Sequence, residues 1–490
     1  MVTGEQEPLV FSAYPKKQTK QPWFLRNPII RNITLATPFV LGFILYRYVI
    51  SGPFLPLSCQ IIGLECPSIQ VSGYTDPEFA SIRKIFAENF ENGDEIGASV
   101  TMFYEGVQVV ELQGGVMDTR TQRPYDRDTL QLVFSSSKSF ASTVIARFVE
   151  KGLLDYNEKI ATYWPEFAQG NKENVTLGDL MVHRAGVSFI DHHTMKIEDL
   201  TDMDHLAKIL QEQPHNWNGV PTRAYHACTR GWYLNEIVRR VDPQHRTIGK
   251  IIDQELSDSY DIEFHLSLPE KMDSRVATIY EYPLLRVLGK MIFPSWLIAE
   301  PLHEIFKDMI NPRSIPFKSL VHSAPNQAQP GAYNRREFRV SEGPSYSGIT
   351  NSRSMGKLAA LLANKGQPIR HGEPVLLSET AYELALKPLP PVYDAVLHET
   401  MVPTVGGYGV WRLEGLEDIE LLGWGGSGGS LLFWNNEYKI AFAYCMNAFN
   451  TALLGDKRAK RMLREFVDIV KAKHKSSSSS LNSSSTNCSS

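Results

Sequence analysis

Ser135 and Lys138 stand three residues apart in Ser135-Ser-Ser-Lys138, where helical patterning begins. At that spacing both side chains project from one face of the first turn. A buried amine loses affinity for its proton, so a neutral Lys138 could take the hydroxyl proton of Ser135 and leave a nucleophilic oxygen. The helix N-terminus adds a field that favours negative charge at that point. The spacing alone is not specific, because Ser81…Lys84 and Ser354…Lys357 share it. Only Ser135 follows an apolar approach and opens an apolar helix, the setting that could bury an active serine; the alternative is an ordinary N-cap serine. Tyr225 is open to two readings, a proton carrier or a core aromatic. His192-His193 has no third ligand at a recognisable spacing and reads as a solvated loop rather than a metal site. The Gly-rich run from Gly423 to Gly429 lacks the Gly-Lys-Ser/Thr ending of a phosphate loop and lies between strand patterns.

The elements that must position these groups are mixed. Thr75-Asp76-Pro77 is a cap with proline in the first turn, and Phe79, Ile82, Ile85, Phe86 and Phe90 mark one helical face after it. Ala98–Tyr104 and Val107–Leu112 read as a hairpin turning at Glu105-Gly106. Helical patterning runs from Ser137 to about Leu361, with an apolar stretch from Tyr282 to Ile310 that packs a helical subdomain, covers an acyl pocket or faces a membrane. Strand patterning returns at Tyr408–Leu413, Ile419–Leu422, Ser430–Trp434 and Tyr438–Met446, before a last helix over Lys457–Lys473. Strands at both ends of a helical middle predict an α+β fold, one sheet completed by the two termini with helical material inserted between them.

The chain has 490 residues, 43% hydrophobic and 21% charged, with a net charge of −4, so nucleic acid has no electrostatic footprint here. Five cysteines exclude a disulfide scaffold. Residues 1–31 form a basic tail with Lys16, Lys17, Lys20, Arg26 and Arg31. An apolar stretch from Ile33 to Tyr46 follows, then Arg47. Residues 32–50 read as a signal anchor with the basic side cytosolic, short of the usual 20 or so apolar residues unless Arg47 snorkels. A buried helix, a cleaved leader and a mitochondrial leader are the alternatives. With an anchor, the domain faces a lumen or the exterior, and Cys59 and Cys66, in a linker over 51–75, could pair; Cys228 and Cys445 read as buried thiols. Asn174, Asn482 and Asn487 open glycosylation sequons. Residues 474–490 are nearly all Ser and Asn and read as a disordered tail.

Five motifs in order carry a resemblance. Ser135-Ser-Ser-Lys138; Thr176-Leu-Gly-Asp-Leu-Met-Val-His183-Arg-Ala-Gly186; Arg223-Ala-Tyr225-His226-Ala227; Asn351-Ser-Arg353-Ser-Met355; and Gly423-Trp424-Gly425-Gly426-Ser427-Gly-Gly429-Ser430 together resemble the serine β-lactamase and penicillin-binding-protein-like family, in its class C-type branch that includes esterases. The resemblance covers about 76–473. It implies a three-layer α+β β-lactamase/transpeptidase-like fold, with an antiparallel sheet from the N- and C-terminal segments, helices on both faces and a helical insertion over about 190–330. It further implies Ser135 as nucleophile, Lys138 and Tyr225 as proton carriers, and backbone N–H groups of Ser135 and Ser427 as oxyanion hole. Trp424, Gly425, Gly426 and His226 would line the substrate, with no cofactor or metal; His183 would be structural. Two departures matter. Ala227 stands where penicillin-type members have asparagine, and Trp424-Gly425 stands where a cation and threonine would hold a β-lactam carboxylate. The expectation is therefore a serine hydrolase acting on carboxylic esters or peptides rather than penicillins, with an acyltransferase or an idle assembly scaffold of the same fold as alternatives. Its partners would be a small-molecule substrate and a membrane.

Overall fold

Asn27 accepts a hydrogen bond from Ile29 N–H and Pro28 fills the next position, so helix α1 starts at Pro28 and runs to Ile50. That is earlier than the expected 32, because the apolar run alone did not reveal the Asn-Pro cap. At 1.5 Å per residue its 23 residues span about 34 Å, enough for a bilayer core of about 30 Å, and the helix is apolar enough to cross one. The computed structural model describes residues 27–66, 69–292, 305–325, 331–451 and 455–485. Lys16, Lys17, Lys20 and Arg26 of the basic tail, residues 293–304 of the apolar stretch from Tyr282 to Ile310 and the sequon at Asn487 lie outside them. After α1 comes α2 (Leu57–Ile62), and Cys59 is joined to Cys66 by a disulfide.

Residues 71–75 are not linker. They form strand β1 (Val71–Thr75), paired antiparallel to the hairpin at the sheet edge. Its middle residues face solvent, so the apolar alternation that betrays a strand is missing. Helix α3 (Ala80–Glu91) follows, then β2 (Gly97–Tyr104) and β3 (Val107–Asp118). Tyr104 pairs with Val107 across Glu105 and Gly106, and both turn residues have positive φ (50° and 80°), as the twist of a two-residue hairpin demands.

The middle of the chain supplies α4 (Ser137–Glu150), α5 (Thr229–Val241), α6 (Leu284–Ile292), α7 (Ile305–Asp308) and α8 (Ser352–Ala363). It is not wholly helical. Gln131–Leu132, Ile349–Thr350 and Phe264–His265 form a small three-stranded sheet, each too short to carry a sequence period. The C-terminal part gives β4 (Val392–Asp394), β5 (Glu399–Pro403), β6 (Gly409–Leu413), β7 (Leu416–Gly425), β8 (Leu431–Asn435) and β9 (Ile440–Met446). The last helix, α9, runs Lys457–Ser485. It therefore continues past Lys473 into the Ser-rich tail, where a disordered segment was expected. Once Met462, Leu463, Phe466 and Val467 have docked the first turns, further residues add without a new nucleation cost.

The large sheet has the order β1-β3-β2-β9-β8-β7-β6-β5-β4, all antiparallel, with Arg123–Pro124 paired onto β3 off this path. The seam between the two ends of the chain is β2–β9, in register from Ala98↔Met446 to Tyr104↔Ile440. Helix α8 packs on the face carrying Thr101 and Phe103, and α3 on the opposite face through Phe86 and Phe90 at Gly114. Phe466 of α9 meets Phe79 beside α3, with ring centroids 5.5 Å apart. This is an α+β fold, helices on both faces of an antiparallel sheet completed by the two ends of the chain.

Candidate active site

Ser135 sits in a tight 3-10 turn, Phe134–Ser136, immediately before α4. Phe134 has φ of +46°, unusual for a bulky residue. Its ring is held edge-on between Tyr333 (5.0 Å) and Phe449 (5.4 Å), and Ser137 Oγ donates to its carbonyl at 2.5 Å. Ser136 Oγ lies 3.1 Å from Ser430 Oγ, and Ser430 Oγ donates to Val133 O at 2.8 Å, which ties the turn to the end of β7 and start of β8. Gly426 is the point of closest approach: a Cβ there would lie 2.2 Å from Val133 O.

Lys138 is 1% exposed, the second residue of α4, and its Nζ donates to Ala227 O (2.8 Å) and Ser345 O (2.9 Å) and stands 3.4 Å from Ser135 Oγ. Two carbonyls use two N–H bonds, which is all a neutral amine has. Burial, with the Arg230 guanidinium adding to it, holds the ammonium well below the ordinary lysine range. Tyr225 completes the group. Its hydroxyl donates to Ser135 Oγ at 2.7 Å and accepts from Trp424 Nε1 at 3.3 Å. Its ring is stacked on Trp424, and Lys138 Nζ lies 4.6 Å from the ring centroid. Burial pushes the phenol up, against the lowering effect of the Ser135 bond, so it remains protonated at neutral pH.

The Tyr225 segment is fixed from behind. Asp394 Oδ1 accepts from Tyr225 N–H (3.0 Å), and its Oδ2 pairs with Arg223 Nε (3.1 Å), which in turn reaches Val182 O. Both partners of this ion pair are essentially excluded from water. His183 Nδ1 accepts from His226 N–H (3.1 Å), and its ring stands edge-on to Tyr225 at 4.9 Å.

Two cavities meet at Ser135, Tyr225 and Ser427. The larger, about 150 Å³, is walled by apolar side chains including Phe134, Phe306, Met309, Leu320, Tyr333 and Phe449. The smaller, about 40 Å³, is bounded by Trp424, Gly425, Leu397 and Glu399. Among the described residues neither lining includes a lysine, arginine or histidine. The arrangement supplies a hydroxyl nucleophile, a neutral amine, a protonated phenol and an apolar acyl-sized space, the parts needed for acyl transfer.

Ser135, Lys138, Tyr225, Ser427, Trp424 and Gly425 thus converge. His226 does not. It is fully buried away from both cavities, with Nδ1 2.6 Å from Ala224 O and Nε2 accepting from Val187 N–H at 3.4 Å, so its ring is occupied in shaping the Tyr225 turn. Gly426 also lies outside the linings, serving the contact with Val133. His192 and His193 are spoken for by Gln213 (3.1 Å) and Asp199 (2.7 Å).

The structure adds residues that sequence reasoning missed. Arg458 is completely buried and donates to Gly428 O (2.8 Å), Ala448 O (2.8 Å) and Asp94 O (3.0 Å), with Asp456 and Glu95 as counter-charges. A Cβ at Gly429 (φ +126°) would come within 2.7 Å of both Arg458 Nη2 and Asp456 Oδ2. This cluster clamps the loop that carries Ser427, and nothing in the spacing of Asp456 and Arg458 pointed to it.

Against known proteins, residues 82–465 match the family model "Beta-lactamase". The chain is 28% identical over 305 residues to "Esterase/beta-lactamase LipL" of Mycobacterium tuberculosis (strain ATCC 25618 / H37Rv), a match covering 61% of this chain and 66%, just under two thirds, of that relative. Among solved structures it is similar to a family VIII carboxylesterase (27% identity, TM-score 0.70, covering 82% of this chain and all of that one). It is also similar to a penicillin-binding protein homologue from Caulobacter crescentus (28% identity, TM-score 0.68, again 82% and all).

Proposed function

The chain belongs to the β-lactamase family as an esterase-like serine hydrolase, and we propose that it cleaves neutral carboxylic esters through an acyl-enzyme on Ser135. The observation that carries this reading is the convergence of Lys138 Nζ and the Tyr225 hydroxyl on Ser135 Oγ beside a cavity whose lining, among the described residues, holds no cation. A penicillin or peptide-terminal carboxylate would meet Trp424 and Glu399 in the smaller cavity, where the described residues offer it no counter-charge. A neutral ester meets no such penalty, and its acyl part fits the apolar side.

Neutral Lys138 takes the proton of Ser135 as Oγ attacks the acyl carbon, while backbone N–H groups of Ser135 and Ser427 stabilise the oxyanion; such donors are worth about 3–4 kcal/mol each in the transition state. Tyr225, kept protonated by burial, hands its proton to the departing alkoxide; its phenolate then takes a proton from the water that attacks the ester, and the Lys138 ammonium returns its proton to Ser135 Oγ as that oxygen leaves. Water entering from the side of Glu399 then releases the acid. An alcohol entering there instead would make the enzyme an acyltransferase, and the intact serine, lysine and tyrosine weigh against an idle scaffold. Intact-mass measurement of the full chain after a fluorophosphonate ester mimic, beside Ser135→Ala, tests the proposal: one adduct that vanishes in the variant is expected, and no adduct on folded protein overturns it.

Helix α1 is read as the anchor, with the catalytic domain in a lumen or outside the cell. The Cys59–Cys66 disulfide directly after it supports an oxidising compartment, and Asn174 is exposed for glycosylation. Protease protection of the domain in sealed microsomes, with a glycan on Asn174, is the expected result; digestion without detergent would sink the assignment.

A further inference from the structure

Helix α6 is amphipathic in the reverse of the usual sense. Its cationic face is buried: Arg286 and Lys290 are 0% and 8% exposed. Its apolar face is bare, with Leu284, Leu285, Leu288, Met291 and Ile292 exposed by 70, 69, 45, 56 and 75%. These five fall on one stripe of the helix. A helix at the surface of a water-facing domain turns such a stripe inward.

The buried face is spent on the end of α1, the two residues after it and Gln60 of α2. Arg286 donates to Ser51 O, Gly52 O (3.1 Å) and Gln60 Oε1 (2.6 Å), and its guanidinium lies 4.4 Å over the ring of Tyr48. Gly289 meets Val49 so closely that a Cβ would lie 2.4 Å from Val49 Cγ2. Helix α6 is therefore held at the last turn of α1, where Tyr46, Arg47 and Tyr48 are the residue types that sit at headgroup level. Along α1 itself Phe39, Leu41 and Phe43 are 80, 59 and 57% exposed, so the bare stripe of α6 continues a surface already suited to acyl chains. The same region of the chain returns as α7, from which Phe306 and, just after it, Met309 wall the larger cavity at Ser135, while Ile310 is 73% exposed.

We infer that α6 lies in the bilayer leaflet on the domain's side, and that the substrate is an ester of a lipid resident in that leaflet. Its first half rests on α1 as the membrane anchor, its second on the proposed esterase chemistry. The lipid's acyl carbonyl reaches Ser135 with its chain in the apolar cavity. Attack forms the Ser135 ester and breaks the acyl C–O bond, the alcohol portion leaves with the proton delivered by Tyr225, and water then releases the fatty acid and restores the serine hydroxyl. An interfacial helix of this kind is stabilised by the apolar area it buries among the acyl chains.

The test uses the full chain in phosphatidylcholine vesicles. In a Cys488→Ser background, Leu288→Cys and, on an exposed position of β7, Glu420→Cys are labelled with an environment-sensitive fluorophore; Cys228 and Cys445 are buried and Cys59–Cys66 is oxidised. Brominated acyl chains should quench the label at 288 and leave that at 420 bright. Equal brightness at both sites overturns the placement. So does a blue-shifted label at 288 that bromine does not quench, the sign of a second protein copy on the stripe. In a second arm, Leu288→Glu with Met291→Glu should cost at least about tenfold in hydrolysis of p-nitrophenyl palmitate held in vesicles, since two large apolar groups lose their burial. Hydrolysis of aqueous p-nitrophenyl acetate should stay within about twofold, as for surface changes far from a site. An unchanged palmitate rate overturns the substrate assignment. Failure of the wild-type chain on both esters would instead refute the esterase chemistry, while the quenching arm still decides where α6 lies.

Discussion

Replacing Lys138 by arginine separates a base from a fixed positive charge. A guanidinium keeps the charge and can still donate to Ala227 O and Ser345 O, but it does not deprotonate and cannot accept the proton of Ser135. In the native site the amine has two carbonyl acceptors within 2.9 Å and, among the described residues, no carboxylate beside it, so its third proton is left to Ser135 Oγ, 3.4 Å away. Each unit by which burial and Arg230 lower its pKa corresponds to about 1.4 kcal/mol favouring the neutral form. Loss of a positioned general base costs about 10²–10⁴-fold, or roughly 3–5 kcal/mol of barrier. Lys138→Arg and Lys138→Met should therefore both lose about that much in the acylation rate, read by stopped-flow release of p-nitrophenol from a short ester, with circular dichroism confirming the fold. The wild-type acylation rate should rise with pH as the amine deprotonates and level off well below pH 10.5, with no such limb in either variant. An arginine variant within about tenfold of wild type would refute the argument, because the group would then be acting through its charge rather than its lone pair.

Tyr225→Phe removes the donor 2.7 Å from Ser135 Oγ and should lower kcat/KM by about 10²–10³-fold with a near-native melting temperature, measured on the same ester. Glu399→Gln should raise kcat/KM for esters with an anionic alcohol portion relative to neutral ones, since it removes the carboxylate lining the smaller cavity; an unchanged ratio would place the alcohol elsewhere. Arg458→Met strands Asp456 and Glu95 in a site with no water access and should cost about 3–5 kcal/mol in urea denaturation. His265, with its ring nitrogens 3.7 Å from Asp253 and 3.6 Å from Glu263, should couple stability to pH. Burial alone would lower its pKa, but the two carboxylates outweigh it and hold the group at about 9. Its folded pKa is above the unfolded value, so its contribution is complete below about pH 6.5 and fades as pH rises through about 9. His265→Ala should thus be destabilised at pH 6 and indistinguishable from wild type above pH 10 in thermal melts.

What was legible in the sequence follows from how local each signal is. Ser135 and Lys138 lie one helical turn apart, so a spacing of three already implied their shared face. The hairpin and four of the C-terminal strands showed themselves through short apolar, β-branched and aromatic runs bounded by turn residues, continuous rather than alternating in β8 and β9. Strand β1 did not, because an edge strand with solvent on its middle residues has no alternation to read. His226 stood beside Tyr225 in sequence, yet neighbours in an extended turn point apart, and its ring went to Ala224 and Val187 rather than to the cavity. Arg458, Asp394 and Phe306 act on the site only through contacts closed by the whole fold. Burial of a cation such as Arg458 goes against its residue type, so composition argues for the opposite placement.

The β2–β9 seam also fixes when this protein can exist during its own synthesis. Ser135 leaves the ribosome while β7, β8 and β9 are still untranslated, and at about 5–20 residues per second the wait is tens of seconds or less. Through that interval the hairpin offers β2, whose residues are buried almost throughout in the finished sheet, as an open edge with no strand to meet Ala98 through Tyr104. A message cut short anywhere before β9 would leave that edge exposed and Ser427 missing or unclamped. Truncated products should therefore be aggregation-prone and inert, never partially active, and activity should arrive only with about the last tenth of the chain.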